Sequence, residues 1–285
     1  MSLLEKIHAC NRWDPDDYRP FVVAGERLGL VTRGFAADLA WHGADFRLAD
    51  DGALHWQAAP TGFEARSARF AEILAGLVAD GLISHRHGEP YPVCAGGRDQ
   101  ARFLIDRAAA PYFGVRAFGQ HLNGFVRTAD GLALWVGRRA ADRRNYPGRL
   151  DHLVAGGLPW GVSLAENLRK ECHEEAGMSP ALADRARPVG AVTYCRTSAA
   201  GLKPDVIYCY DLELPEGFTP VCTDGEVESF ALWSIEQVLA TVRDTDAFKL
   251  NCNLVIIDFL IRHGLIGPDE PDYLALVQGL RAPLP

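Results

Sequence analysis

Glu171, Glu174 and Glu175 fall within five positions of one another in the stretch Gly156–Met178, GGLPWGVSLAENLRKECHEEAGM. On a helix, residues three and four apart share a side, so the three carboxylates project together. Like charges held that close raise one another's pKa or require a cation. Lys170 reaches Glu174 at i+4, but one ammonium cannot balance three carboxylates. A hard divalent cation, Mg2+ or Mn2+, accepts carboxylate oxygens at about 2.0–2.1 Å and keeps waters that a phosphate can replace. The pair Gly156–Gly157 permits a close backbone approach, so that the Gly156 carbonyl can join such an ion or a phosphate can come near. A Glu-rich helix face taken alone is more often solvated surface.

The elements that carry these groups can be read from their flanks. Ser163 with Glu166 three residues later is a capping box and starts a helix at about Leu164. Leu164, Leu168, Cys172 and Ala176 step by four and form a buried stripe, and Gly177 ends the helix. The carboxylates lie beside that stripe, at the rim of a core. His173, about 200° round from Glu171, faces solvent.

Other groups suit the same chemistry. Arg138, Arg139, Arg143, Arg144 and Arg149 precede the stretch. Arg139, at a strand's end, is the candidate for phosphate contact, although arginines there equally pair with surplus acids. His121 and Asn123, two apart on a strand, share a side and could hydrogen-bond a substrate heterocycle. Trp135 and Tyr194 could stack on it, with core packing the default for Trp135. In DGEVES (Asp224–Ser229), Glu228 is favoured over Glu226 as a general base, and ordinary loop acids are an equal reading. Cys195 and Cys252 lack an evident base partner and read as inert.

The rest of the chain sets limits. It has 285 residues, 48 % hydrophobic, with a net charge of −8. That balance argues against broad nucleic-acid binding, which needs many phosphate contacts. Seven cysteines at irregular spacing, with no CxxC, suit reduced thiols in the cytosol rather than a zinc site or a disulfide framework. The opening MSLLEKIHACNRWD is not a secretory signal, and no apolar run approaches the ~20 residues of a membrane span. A soluble cytoplasmic monomer or homodimer is expected. Helices are expected over residues 2–11, 63–83, 98–109 and 248–266, with a last short one in DEPDYLALVQGLR. Strands are expected within Phe21–Thr32, on either side of the turn Thr128–Gly131, and at Val189–Thr193, Val206–Leu214 and Ser229–Trp233. His87–Gly97 reads as a loop. The grain changes near Pro111, which places a boundary at about residue 110: an accessory α+β domain over 1–110 and a second domain over 111–285.

Gly156, Glu171, Glu174, Glu175 and Gly177, closed by Met178, resemble the Nudix box: Gly, five residues, Glu, seven residues, Arg-Glu, an aliphatic, any, Glu-Glu, any, Gly, aliphatic. Two positions depart. Val162 stands where the box has its first Glu, and Lys170 replaces the Arg and so loses its planar fork. GQHLNGFV (Gly119–Val126), LWVGRRAADRRNYPGRLDHLVAGG (Leu134–Gly157), DLELPEGFTPVCTDGEVESFALWS (Asp211–Ser234) and FKLNCNLVIIDFLIRHG (Phe248–Gly264) are similar to one branch, the Nudix domains associated with thiamine pyrophosphokinase. The resemblance implies an α+β chain whose C-terminal part is an α/β/α sandwich with a mixed sheet. It implies Mg2+-assisted attack of water on a diphosphate, X–P–O–P. Glu171 and Glu175 would be metal ligands, Glu174 a ligand or water-orienting partner, and the Gly156 carbonyl would lie nearby. It also implies thiamine diphosphate or its oxy- and oxo-forms as substrate, cleaved to the monophosphate. Two alternatives remain: a non-catalytic sensor of a phosphorylated metabolite, which the two departures permit, and isopentenyl-diphosphate isomerase, against which QHLNGF counts because it lacks a cysteine. The N-terminal part is expected to cover the mouth of the cleft.

Overall fold

The chain opens with α1 (Leu3–Cys10), started by a capping box between Ser2 and Glu5. β1 (Tyr18–Val23) and β2 (Glu26–Thr32) follow as an antiparallel pair, then α2 (Arg33–His42), β3 (Phe46–Leu48) and β4 (Leu54–Trp56). The spatial order of this sheet is β2-β1-β4-β3. α3 (Phe63–Ala79) buries Phe70, Leu74 and Leu77 on one stripe and stops where Gly81 takes φ +76°. This is a computed structural model describing residues 2–43 and 45–285.

Residues 87–109 depart from expectation. The loop His87–Gly97 contains β5 (Pro90–Val93), and the segment expected as a helix over 98–109 is a single 3-10 turn followed by β6 (Phe103–Asp106). The two strands pair antiparallel, and Phe103 and Ile105 point inward with period two beside Tyr91 and Val93. Asp106 ends the strand rather than continuing a helix. Its carboxylate accepts from the backbone N–H groups of His87, Gly88 and Ala108.

The second half contains β7 (Ala117–Thr128), β8 (Gly131–Arg139), β9 (Leu150–Asp151), β10 (Val154–Gly157), α4 (Leu164–Ala176), α5 (Pro180–Ala183), β11 (Arg187–Ser198), β12 (Gly201–Glu213), β13 (Val227–Ser234), α6 (Ile235–Asp244), α7 (Cys252–Arg262) and α8 (Tyr273–Gly279). The strands form one sheet in the order β11-β12-β7-β8-β13, with β10 on β7 and β9 on β8. β12 runs parallel to β7 and the other pairs are antiparallel, so the sheet is mixed. One face packs Leu122, Val126, Tyr210 and Leu212 on Leu168, Cys172 and Ala176 of α4. The other packs Phe125, Ile207 and Cys209 on α6, α7 and α8. The result is the expected helix–sheet–helix sandwich.

The first helix sits in the C-terminal core although it precedes the first sheet. Leu3, Ile7 and Cys10 pack with α7 and α8, and the Lys6 ammonium donates to the Thr245 carbonyl at 2.6 Å and to Asp246 at 2.7 Å. Within residues 1–110, α1 thus packs with the C-terminal core while residues 21–115 have a core of their own, and a fragment starting after residue 110 loses the α1 contacts to α7 and α8. Ile7 is 1 % exposed. Its replacement by Ala should cost about 2–5 kcal/mol, measured by urea unfolding of the whole chain. A cost under about 0.5 kcal/mol would mean that α1 is not part of that core.

Candidate active site

α4 forms as its flanks dictate. Ser163 Oγ accepts from the Glu166 N–H at 3.2 Å, the Glu166 carboxylate accepts from the Ser163 N–H at 2.9 Å, and Gly177 closes the helix at φ +63°. Leu168, Cys172 and Ala176 are buried and His173 is exposed. The carboxylates sit at three depths. Glu175 is 5 % exposed and accepts from the Ala155 N–H of β10 at 2.7 Å. Glu171 is half-buried against Gly156, where a Cβ would collide with its carboxyl carbon, so only glycine lets β10 lie this near the helix. Glu174 is the outermost. Lys170 bridges it at 2.7 Å and Glu171 at 3.3 Å.

Burial pushes the Glu175 carboxyl up to about 8. Burial also raises Glu171. Lys170 opposes that rise, and the negative charges of Glu174 and Glu226 add to it. Two carboxylates are thus withdrawn from water with one ammonium between them and Glu174. The donors there are hard oxygens brought together beside Gly156, and that set suits Mg2+ or Mn2+ rather than a softer ion.

Two polar residues not singled out in the sequence fix this geometry. Asn167 donates to Gln120 Oε1 at 2.8 Å and to the Gly157 carbonyl at 2.9 Å. Gln120 donates to the Leu164 carbonyl at 2.9 Å. The clamp ties β10 and β7 to α4. Its only signal in the sequence is an asparagine beside Leu168 on the inward side of the helix.

The remaining candidates are placed differently. Glu226 is half-buried, pairs with Arg143 at 2.7 Å and contributes to the charge felt at Glu171. Glu228 is exposed on β13, at a bulge in its pairing with β8. Arg139 does end β8, but its guanidinium is spent on Asp151 at 2.9 Å and on the Asn145 carbonyl. His121 and Asn123 share a side, as their spacing requires. That side is the one α7 covers, away from α4, and both are buried. A heterocycle therefore has no access to them. Tyr194 is likewise buried and donates to Asp205 at 2.6 Å, so it is not a stacking platform.

Asn123 donates to Asp211 at 3.0 Å, and Asp211 also takes Arg262 at 2.5 and 3.0 Å and His263 at 3.1 Å. Burial acts to raise the Asp211 carboxyl, but the Arg262 and Asn123 hydrogen bonds, the Arg262 charge and His263 outweigh it, so its pKa is lowered. Because the folded-state value lies below the unfolded one, the stabilisation is present above the ordinary carboxylate value and is lost as pH falls through the folded value. Asp211→Asn should cost about 3–5 kcal/mol at pH 7. The gap between variant and wild type should close as urea melts are taken below about pH 4. A gap independent of pH would contradict the ionic role.

A second group lies behind the glutamates. His121, Asp151, His152 and Cys252 bring potential ligand atoms within 4.8 Å of one another, and all four are buried. Cys252 is not without a partner, since its thiol donates to Asp151 at 2.8 Å, and burial holds it well above the ordinary thiol range. Although such a group could hold a metal ion, Lys249 at 3.2 Å and Arg139 at 2.9 Å already occupy Asp151. A cation there would meet two positive charges.

A NUDIX domain profile matches residues 121–252, and a profile described as a domain of unknown function (DUF4743) matches residues 2–117. Two Arabidopsis thaliana proteins are similar over nearly the whole chain. Nudix hydrolase 20, chloroplastic, is 43 % identical over 98 % of this chain and 78 % of its own length. Nudix hydrolase 24, chloroplastic, is 44 % identical over the same shares. Among solved structures, DR0079 from Deinococcus radiodurans aligns with a TM-score of 0.45 at 24 % identity, covering 59 % of this chain and 97 % of that one.

Proposed function

The chain belongs to the Nudix hydrolase family, and we infer that α4 and β10 form the centre at which it hydrolyses the diphosphate linkage of a small metabolite. One observation carries this reading: Glu171, against Gly156, and Glu175, against the Ala155 N–H, are held out of water on one side of α4, while Lys170 bridges only Glu171 and Glu174. Glu171, Glu174, Glu175 and the Gly156 carbonyl would hold the divalent cation. When bound, that ion supplies charge neutralisation at the phosphates and a more acidic water. The chain's own part is to fix the carboxylates through the Asn167–Gln120 clamp and to take the proton. Glu226 is the nearer base. As a water oxygen bonds to phosphorus, the water's proton passes to that carboxylate, and the P–O bond to the leaving phosphate breaks with its electron pair going to the leaving oxygen.

The finer assignment is thiamine diphosphate or its oxidised forms, released as the monophosphate. It is supported by the likeness of the four stretches around the box to the branch associated with thiamine pyrophosphokinase. Seven free cysteines suit a reducing compartment such as the cytoplasm. Incubation with Mg2+ and a panel of diphosphates, thiamine diphosphate and its oxy-form among them, should release phosphate and the monophosphate. Thermal stabilisation by the panel with no turnover would favour a sensor, a reading that the hold of Lys170 on two box glutamates permits.

A further inference from the structure

We propose that Arg107 and Tyr91, from the β5–β6 hairpin of the N-terminal half, form an anion-binding wall of the diphosphate site, with Arg107 contacting a phosphate of the bound substrate. The proposal rests on the hydrolase reading and adds a specific role for the N-terminal half.

Gly157 marks the junction. A Cβ there would collide with the Tyr91 hydroxyl and lie 3.1 Å from the Arg107 guanidinium carbon. Its neighbour Gly156 abuts Glu171, so two adjacent glycines separate the arginine from the acidic helix. The approach is built rather than incidental. Trp160 N–H donates to the Pro90 carbonyl at 2.7 Å, and Arg98 donates to the Pro159 and Val162 carbonyls at 2.7 and 3.2 Å. Trp160 packs on Phe63 with ring centroids 5.5 Å apart. The loop entering the box helix is thus strapped to the hairpin along its length.

Arg107 has donors to spare. Its Nη1 pairs with Glu89 at 2.8 Å, its side chain is 39 % exposed, and the guanidinium lies 5.8 Å from the Tyr91 ring centroid. The planar fork therefore keeps Nε and Nη2 for a phosphate. Glu171 and Arg107 approach adjacent residues of the same strand end, Gly156 and Gly157, near enough for the Glu171 charge to act on the guanidinium. Tyr91 is 4 % exposed, and no described residue makes a hydrogen bond to its hydroxyl.

Elimination points the same way. The arginine run before the box is largely committed: Arg138 to the Gly148 carbonyl, Arg139 to Asp151, Arg143 to Glu226 and Arg149 to the Asp246 carbonyl. Arg144 sits on the exposed loop. Lys170 stands in the box where the family has its arginine, and it is bound to Glu171 and Glu174.

The test uses the full chain with Arg107→Ala, Arg107→Lys and Tyr91→Phe. Steady-state hydrolysis is read alongside binding of methylenediphosphonate, a non-hydrolysable diphosphate, by calorimetry in Mg2+. Arg107→Ala should raise KM and weaken diphosphonate binding about 10- to 100-fold, with kcat within about threefold and melting temperature unchanged. Arg107→Lys should recover part of the affinity, which a packing role would not allow. Tyr91→Phe should weaken binding less. Normal diphosphonate affinity in both Arg107 variants, with wild-type turnover intact, overturns the proposal and spares the hydrolase. If Arg107→Ala lowers the melting temperature, the lysine variant decides. Wild type that neither binds nor cleaves any diphosphate removes both readings.

Discussion

Glu175→Gln should lower diphosphate hydrolysis by at least about 10³-fold, an effect of several kcal/mol on the barrier, without unfolding the protein. The amide keeps the volume of the carboxylate and an oxygen that can still accept from the Ala155 N–H. It cannot offset a cation. Glu175 is also the deepest of the three glutamates, 5 % exposed with its pKa pushed up to about 8 by burial, so removing its charge removes a desolvation penalty. The melting temperature of chelator-treated variant should therefore be no lower than that of chelator-treated wild type. Phosphate release and thermal melts in EDTA are the two measurements. A variant within tenfold of wild-type kcat would take Glu175 out of the mechanism, and a collapse in stability would make it a structural acid.

The parts legible in the sequence were those governed by local rules. Ser163, Glu166 and Gly177 mark both ends of α4 because caps act within one turn, and the four-residue step from Leu168 to Ala176 sets its inward side. The hairpin at Thr128–Gly131 and the strands after it follow from turn chemistry and alternation. Residues 98–109 do not form the expected helix, because Phe103, Leu104 and Ile105 make a short apolar run that periodicity alone does not assign. The partner that settles it, Tyr91–Val93, lies across a loop. His121 and Asn123 show a different limit. Spacing says that they share a side, but β7 is buried on both faces, so no polarity alternation tells which helix layer that side meets. Arg139 reads as a phosphate ligand only until Asp151 is seen opposite it. The approach of Arg107 to Gly157 joins segments far apart in the chain and leaves no local trace.

Glu226→Gln should cost about 10²–10⁴ in kcat, the range expected for a general base, while Glu228→Gln should stay within about threefold. The two acids are two residues apart, and a regular strand would put both on one side. The bulge between Val227 and Ser229 breaks that relation. Glu226 immediately precedes β13, where its carbonyl accepts from the Ala140 N–H at 3.0 Å and its carboxylate pairs with Arg143 at 2.7 Å. Its negative charge is felt at Glu171. Glu228 projects into solvent from an edge strand. An arginine that only aims the base leaves a proton acceptor behind when it is removed, so Arg143→Ala should lower kcat less than Glu226→Gln does. The comparison uses kcat on one diphosphate in Mg2+ for all three variants, with diphosphonate affinity as the control for binding. A large loss in Glu228→Gln with a near-normal Glu226→Gln would reverse the assignment. Equal small losses in both would mean that the proton leaves through water instead.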